Sequence, residues 1–233
     1  MKLFSIGLPF LLLLVTSTFD TGHDYLDTYA SRLKAYSVPS GSMKPTLMIE
    51  DRFYAHEAIA DPLAGLVDYF YPDQKRLLRI ERGDVLVFKL PSDNSVDYVK
   101  RVVGLPGDTI QMFDGVLHIN GEPTERERID DFIEQGSSTG ARRIPRFRET
   151  LPNGVSYETL DLTSRGSLDN TREYSVPQGH YFVLGDNRDN SIDSRVLSRI
   201  GFVPLANITG IATKIFYSGE TGSLTWRTLK PDS

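Results

Sequence analysis

The sequence predicts a mainly β protein, and two sets of observations carry that reading. Short runs rich in Val, Ile, Phe and Tyr recur between turn residues, with 19 Gly and 13 Pro spread through 233 positions. Val116-Leu117-His118-Ile119 ends at Asn120-Gly121, and Pro152-Asn153-Gly154 stands between residues 147–151 and 155–158; both are β-hairpin signals. The length suits one large β domain or two smaller ones. A hydrophobic share of 39% and a charged share of 24% are ordinary for a globular chain.

Composition excludes some chemistry. A net charge of −5 without any basic block argues against nucleic acid as the main partner. The chain has no Cys, which removes disulfides, thiol catalysis and cysteine metal sites. His23, His56, His118 and His180 are scattered without metal-ligand spacing, so no metal and no cofactor is expected.

Taken in order, Met1-Lys2 precedes an uncharged run over residues 3–19. As a helix it would extend about 25 Å, near the lower limit for crossing a bilayer. Residues 1–20 read as a retained membrane anchor, with Lys2 inside and Asp20, Asp24 and Asp27 outside. A signal peptide cut near Val15-Thr16-Ser17 is the competing reading. Residues 21–36 read as a polar connector. Arg52-Phe53-Tyr54-Ala55 reads as a strand, followed by an irregular insertion whose aromatic Asp68-Tyr69-Phe70-Tyr71-Pro72 suits core or rim packing.

Residues 84–90 form a continuous apolar run after Gly83, as in a strand buried on both faces. Residues 97–103 form the next strand. Its period of two places Lys100 with Tyr98 and Val102 on one face, and Val99, Arg101 and Val103 on the other. Leu105-Pro106-Gly107-Asp108 fits a type II turn. Residues 122–148 are rich in charge and small residues and show no clear periodicity. The stretch 111–178 reads as an inserted, β-rich cap. Residues 180–184 form a strand that runs into a dense polar loop, 185–195, whose charges need partners. Residues 201–204 and 208–217 supply the last strands, and 219–233 is a tail with little pattern beyond Trp226.

One stretch can hold a hydroxyl still. Ser40 and Ser42 flank Gly41 between Pro39 and Pro45. Each Pro fixes its own φ and pushes the residue before it towards extended backbone, and Gly41 lets another chain come close. An ordinary surface turn has the same composition. A serine attacks only when a base takes its proton. No His has a convincing setting. Lys100 on its apolar strand face is the best base in the chain, because burial disfavours the ammonium form. A solvated edge-strand lysine is the alternative.

Four blocks together resemble type I signal peptidase, the bacterial leader peptidase family. They are Pro39-Ser40-Gly41-Ser42-Met43-Lys44-Pro45-Thr46-Leu47, Arg82-Gly83-Asp84-Val85-Leu86-Val87-Phe88, Tyr98-Val99-Lys100-Arg101-Val102-Val103-Gly104-Leu105-Pro106-Gly107-Asp108, and Gly185-Asp186-Asn187-Arg188-Asp189-Asn190-Ser191-Ile192-Asp193-Ser194-Arg195. They stand in the family's order with family-like spacing.

The resemblance implies a signal-peptidase-like antiparallel β catalytic core in two parts, 37–110 and 179–218, with the β-rich cap inserted between and an N-terminal membrane helix. It implies a membrane-bound serine endopeptidase that removes signal peptides from exported preproteins by a Ser/Lys dyad, through an acyl-enzyme. By motif position Ser42 would be the nucleophile and Lys100 the general base. Ser40 and the Ser42 N–H would form the oxyanion hole, Ser191 would orient the lysine, and Asp193 and Arg195 would brace the loop. Val38, Met43, Val87, Tyr98 and Val99 lie beside these motifs. They are candidates for a shallow pocket accepting small residues one and three places before the cut, with core packing as the alternative. The substrate would bind as an added strand. The implied partners are preproteins and the lipid bilayer, with no metal and no nucleic acid. The implied location is the bacterial inner (cytoplasmic) membrane, single-pass, with the catalytic domain on the periplasmic side. One short apolar run, in place of two spans or a long one, departs from the family's habit and bears on topology.

Other readings have less behind them. Ser31-Arg32-Leu33-Lys34 and Ser92-Asp93-Asn94 fit two motifs of penicillin-binding enzymes, but the third appears only as Glu220-Thr221-Gly222. A self-cleaving Ser/Lys repressor of related β fold needs a DNA-binding helix-turn-helix where this chain has an apolar run. An inactive membrane-tethered scaffold would not need Ser42, Lys100 and Ser191 together. A calcium loop at 189–193 lacks the required Gly and closing acid.

Overall fold

A computed structural model describes residues 4–6, 33–56, 80–134 and 140–229. Its strands, in chain order, are β1 (Phe4–Ile6), β2 (Leu33–Ser37), β3 (Arg52–His56), β4 (Val85–Leu90), β5 (Asp93–Gly104), β6 (Thr109–Phe113), β7 (Val116–Ile119), β8 (Glu122–Pro123), β9 (Glu125–Glu134), β10 (Arg142–Thr150), β11 (Ser156–Leu160), β12 (Tyr174–Ser175), β13 (His180–Leu184), β14 (Val203–Pro204), β15 (Ile208–Ser218) and β16 (Ser223–Thr228). The protein is mainly β, as expected. One nine-stranded sheet runs β1-β2-β3-β15-β4-β5-β13-β14, with β16 on β15; a four-stranded sheet runs β12-β6-β7-β8 and a three-stranded one β11-β10-β9.

β4 and β5 are the centre of the large sheet, and their apolar residues on both faces explain why. Val85, Val87 and Val99 pack with Tyr36, Met43, Leu47, Phe53 and Ile215 on one side. Leu86, Phe88, Tyr98 and Val102 pack with Val183 and Ile208 on the other. Each of these side chains, fully buried, contributes about 1.5–3 kcal/mol. The register sets Lys100 opposite Leu86 and Val99 opposite Val87, so the two faces of β5 follow the period of two.

Turn chemistry holds where it was read. Asp108 N–H donates to the Leu105 carbonyl at 3.0 Å, and Gly107 takes the positive φ of +92° that a type II turn demands. Asn120 and Gly121 both have positive φ, the type I′ signature. Asp114 and Gly115 do the same between β6 and β7, a hairpin the sequence reading passed over.

Three stretches differ from expectation. Residues 122–148 contain β9 and most of β10, which pair over eight registered positions. Most of this ribbon is exposed or half-buried, so it has no apolar alternation to detect. Charge decorates it instead, as in the Arg148–Glu127 pair at 3.2 Å. The connector 21–36 contains most of β2, which pairs with β3. The tail contains β16, paired with β15, and Leu229 joins the core. Phe4–Ile6 pairs with β2; the rest of the anchor reading, and the aromatic stretch 68–72, lie outside the described residues. Among the described residues no helix is long and apolar enough to cross a membrane.

Candidate active site

Ser42 sits in a single 3-10 turn, Gly41–Met43, entered from extended Ser40. The turn is pinned from inside. Met43 and Leu47 are fully buried, and Leu47 N–H donates to the Met43 carbonyl at 2.9 Å. Ahead of it, Val38 N–H donates to the Asp51 carbonyl and Val38 O accepts from Glu50 N–H. Lys100 comes from the middle of β5, and its Nζ lies 2.8 Å from Ser42 Oγ and donates to the Val99 carbonyl at 2.9 Å. Lys100 is only 1% exposed and Ser42 7%.

Three buried ion pairs surround this contact. Arg101 Nε and Nη2 donate to the two Asp186 oxygens at 2.9 and 2.7 Å. Arg195 Nε and Nη2 donate to Asp193 at 2.8 and 2.9 Å. Arg188 holds Glu149 at 3.0 and 2.7 Å. Each cation has its own carboxylate, so Lys100 has no dedicated counterion among them. Burial pushes its pKa down to about 8, with Asp193 and Asp186 pulling it partly back and Arg195 adding to the fall. For Asp193, burial works to raise the pKa, but the Arg195 charge and hydrogen bonds from Arg195 and Gly185 outweigh it and hold the carboxyl low. An amine lowered to about 8 is neutral above that pH and carries a neutral fraction at pH 7; in that form, in contact with a hydroxyl, it can take the hydroxyl's proton.

Comparison with known proteins decides the family. The family model "Signal peptidase, peptidase S26" matches residues 26–217. The chain is 38% identical over 205 residues to signal peptidase I of Rickettsia typhi, covering 83% of this chain and 74% of that one. It is 37% identical to signal peptidase I of Rickettsia canadensis over the same shares. The chain belongs to the signal peptidase S26 family. It is therefore a serine endopeptidase. A solved signal peptidase I from Enterococcus faecalis is 28% identical with a TM-score of 0.33, covering 57% of this chain and 96% of that one.

Against this signal peptidase background the remaining candidates fall as follows. Asp193 and Arg195 are paired and brace loop 185–195, where Asp193 also accepts from Gly185 N–H at 3.1 Å. The Ser191 hydroxyl is buried and has no partner at hydrogen-bond geometry among the described residues. It stands near enough to Asp193 to help hold that carboxyl low. Ser40 is half-buried beside the turn. Val38, Met43, Val87 and Val99 share one buried cluster, while Tyr98 belongs to the cluster on the opposite face. The structure therefore does not bring those five together as one surface. Among the described residues no group of three or more His, Asp or Glu could hold a metal.

Other residues at the site had no assigned role in the sequence. Asn187 donates from its side chain to Gly41 O at 2.9 Å and from its backbone to Ser42 O at 3.1 Å. Gly185 packs so closely that a Cβ there would lie 2.6 Å from Ser42 O and inside the Ser191 hydroxyl. Thr46 bridges Arg101 and Asp186. The density of charge after a buried strand signalled that loop 185–195 needs partners, but not which ones.

Proposed function

We propose that this protein removes N-terminal signal peptides from exported preproteins, with Ser42 as nucleophile and Lys100 as general base. The observation that carries this reading is the 2.8 Å contact between Lys100 Nζ and Ser42 Oγ, in a setting that lowers the lysine to about 8. Neutral Lys100 takes the Ser42 proton as Oγ bonds to the scissile carbonyl carbon. The resulting oxyanion is met by the Ser42 N–H and the Ser40 hydroxyl, donors that typically contribute about 3 kcal/mol each when aimed at that oxygen. The C–N bond breaks, the Lys100 ammonium protonates the leaving amine, and the signal peptide remains as an ester on Ser42. Water then attacks with Lys100 accepting its proton. The ester C–O bond breaks, the proton returns to Oγ, and the signal peptide leaves as a carboxylate.

Ser191 orients the Lys100 amine in this scheme, and small apolar side chains of the substrate are accepted near the turn. The enzyme works at the periplasmic face of the inner membrane, with Ser42 close to the lipid surface. The direct test is cleavage of a preprotein at its small-residue site by wild type, Ser42→Ala and Lys100→Ala. Both variants should lose nearly all activity; wild-type rates in either one defeat the assignment.

A further inference from the structure

The three-stranded sheet reaches the loop that serves the nucleophile through buried charge. Glu149 on β10 and Tyr157 on β11 are directly opposite each other in register, and both meet Arg188. Arg188 donates to both Glu149 oxygens, at 3.0 and 2.7 Å, and to the Tyr157 hydroxyl at 3.1 Å. The Tyr157 hydroxyl in turn donates to Glu149. All three residues are buried, Glu149 completely. Desolvating an ion pair this thoroughly opposes its mutual attraction, and apolar packing in the same space commonly stabilises a fold as well or better. Fold stability alone is thus a poor account of this cluster.

Its neighbours supply a better one. The Arg188 carbonyl accepts from Arg195 Nη2, the same guanidinium that grips Asp193. The preceding residue, Asn187, holds the carbonyls of Gly41 and Ser42. Beside it, the Tyr157 ring lies 4.2 Å from the Arg101 guanidinium, which holds Asp186. β11 adds a backbone grip, with Leu160 N–H donating to the Asp186 carbonyl at 2.8 Å. The segment 186–188 is thus clamped from the inserted sheet on one side and bears on the nucleophile turn on the other.

We propose that Glu149 and Tyr157 are positioning residues for the reaction of Ser42 with Lys100, acting through Arg188 and Asn187. The inserted sheet is then a working part of the catalytic centre. This rests on the Ser42–Lys100 reading above. Neither residue touches the reacting atoms, so their loss lowers kcat and leaves KM little changed.

Two variants test this without relying on a buried unpaired charge. Glu149→Leu combined with Arg188→Met replaces the ion pair by apolar side chains. Tyr157→Phe removes one hydroxyl and keeps the ring against Arg101. With rates normalised to the folded fraction by circular dichroism, kcat for a preprotein should fall about tenfold or more in the double variant and about threefold in Tyr157→Phe, with KM within about threefold of wild type. Adding Asn187→Ala to the double variant should cost less than it does in wild type, because the three residues act in one chain of contacts. The proposal is overturned if both folded variants keep kcat within about twofold of wild type, or if the Asn187→Ala effect is fully additive. Undiminished cleavage by Ser42→Ala would instead overturn the underlying reading.

Discussion

Asn187 is tied to Gly41 by a 2.9 Å hydrogen bond from its side-chain amide to the glycine carbonyl, across 146 residues of sequence. Its backbone N–H holds the next carbonyl, that of Ser42, at 3.1 Å. The loop that carries Ser191, Asp193 and Arg195 therefore also fixes the turn that carries the hydroxyl. One segment sets both the place of the proposed nucleophile and the charge around its base.

Asn187→Ala removes one of these ties and leaves the Gly41 carbonyl buried without that donor. The unmade bond should cost about 1–3 kcal/mol, read from urea unfolding midpoints. The turn loses part of its fixing, so kcat should fall by about tenfold with KM little changed.

Gly185→Ala tests how tightly the same parts are fitted. Its Cβ would enter the Ser191 hydroxyl and come within 2.6 Å of the Ser42 carbonyl, and the backbone atom cannot swing aside as a flexible side chain can. The variant should lose about a hundredfold in kcat, with a fall in stability of about 1–3 kcal/mol from overpacking. Wild-type steady-state rates would show that the turn relaxes freely.

Lys100 should reduce the stability of the fold that uses it. Its folded pKa, about 8, lies below the ordinary 10.5, so between those values the unfolded chain binds the extra proton and folding grows more favourable as pH rises. Below about pH 8 the folded state bears the full penalty of the buried ammonium, equivalent to about 3 kcal/mol. Lys100→Met should therefore be more stable than wild type at neutral pH, by up to about that amount. The advantage should shrink as pH rises from about 8 towards 10.5. Parallel denaturant titrations across that range measure it.

Acid should loosen the same region by the opposite sign. Burial works to raise both Glu149 and Asp193, but Arg188 and Arg195 respectively overcome it and hold them below their ordinary 4.5 and 3.8. Each carboxylate thus contributes stability that is fully present above its unfolded value and is lost as pH falls through the lower folded value. Unfolding midpoints should drop steeply below pH 4.5. The Glu149→Leu/Arg188→Met variant should show a shallower acid limb, because one of the two carboxylates is gone.

The strands were legible because their signals are local, whereas Ser42 and Lys100 were joined as a pair only by the resemblance of four motif blocks to the signal peptidase family. Apolar runs and a period of two put Lys100 on the face of Tyr98 and Val102, and the register with Leu86 agrees. The same period separates neighbouring Tyr98 and Val99 onto opposite faces, which is why they fall in different clusters. The β9–β10 ribbon escaped detection because a strand pair with little burial has no apolar alternation to display. Asn187, Gly185 and Glu149 were illegible for another reason. Asn187 meets Gly41 across 146 residues and Glu149 meets Arg188 across 39, and no local pattern states which distant carbonyl or guanidinium a polar side chain will meet.

The central claim is that Lys100, uncharged, takes the Ser42 proton. The pH dependence of kcat/KM for preprotein cleavage by the wild-type protein tests it most directly, because that ratio reports ionisations of the free enzyme. The rate should climb with pH through an apparent value of about 8 and level off above it, as the amine becomes neutral. A rate that stays flat from about pH 6 to about pH 10, or that rises only near the value of free lysine, contradicts the account.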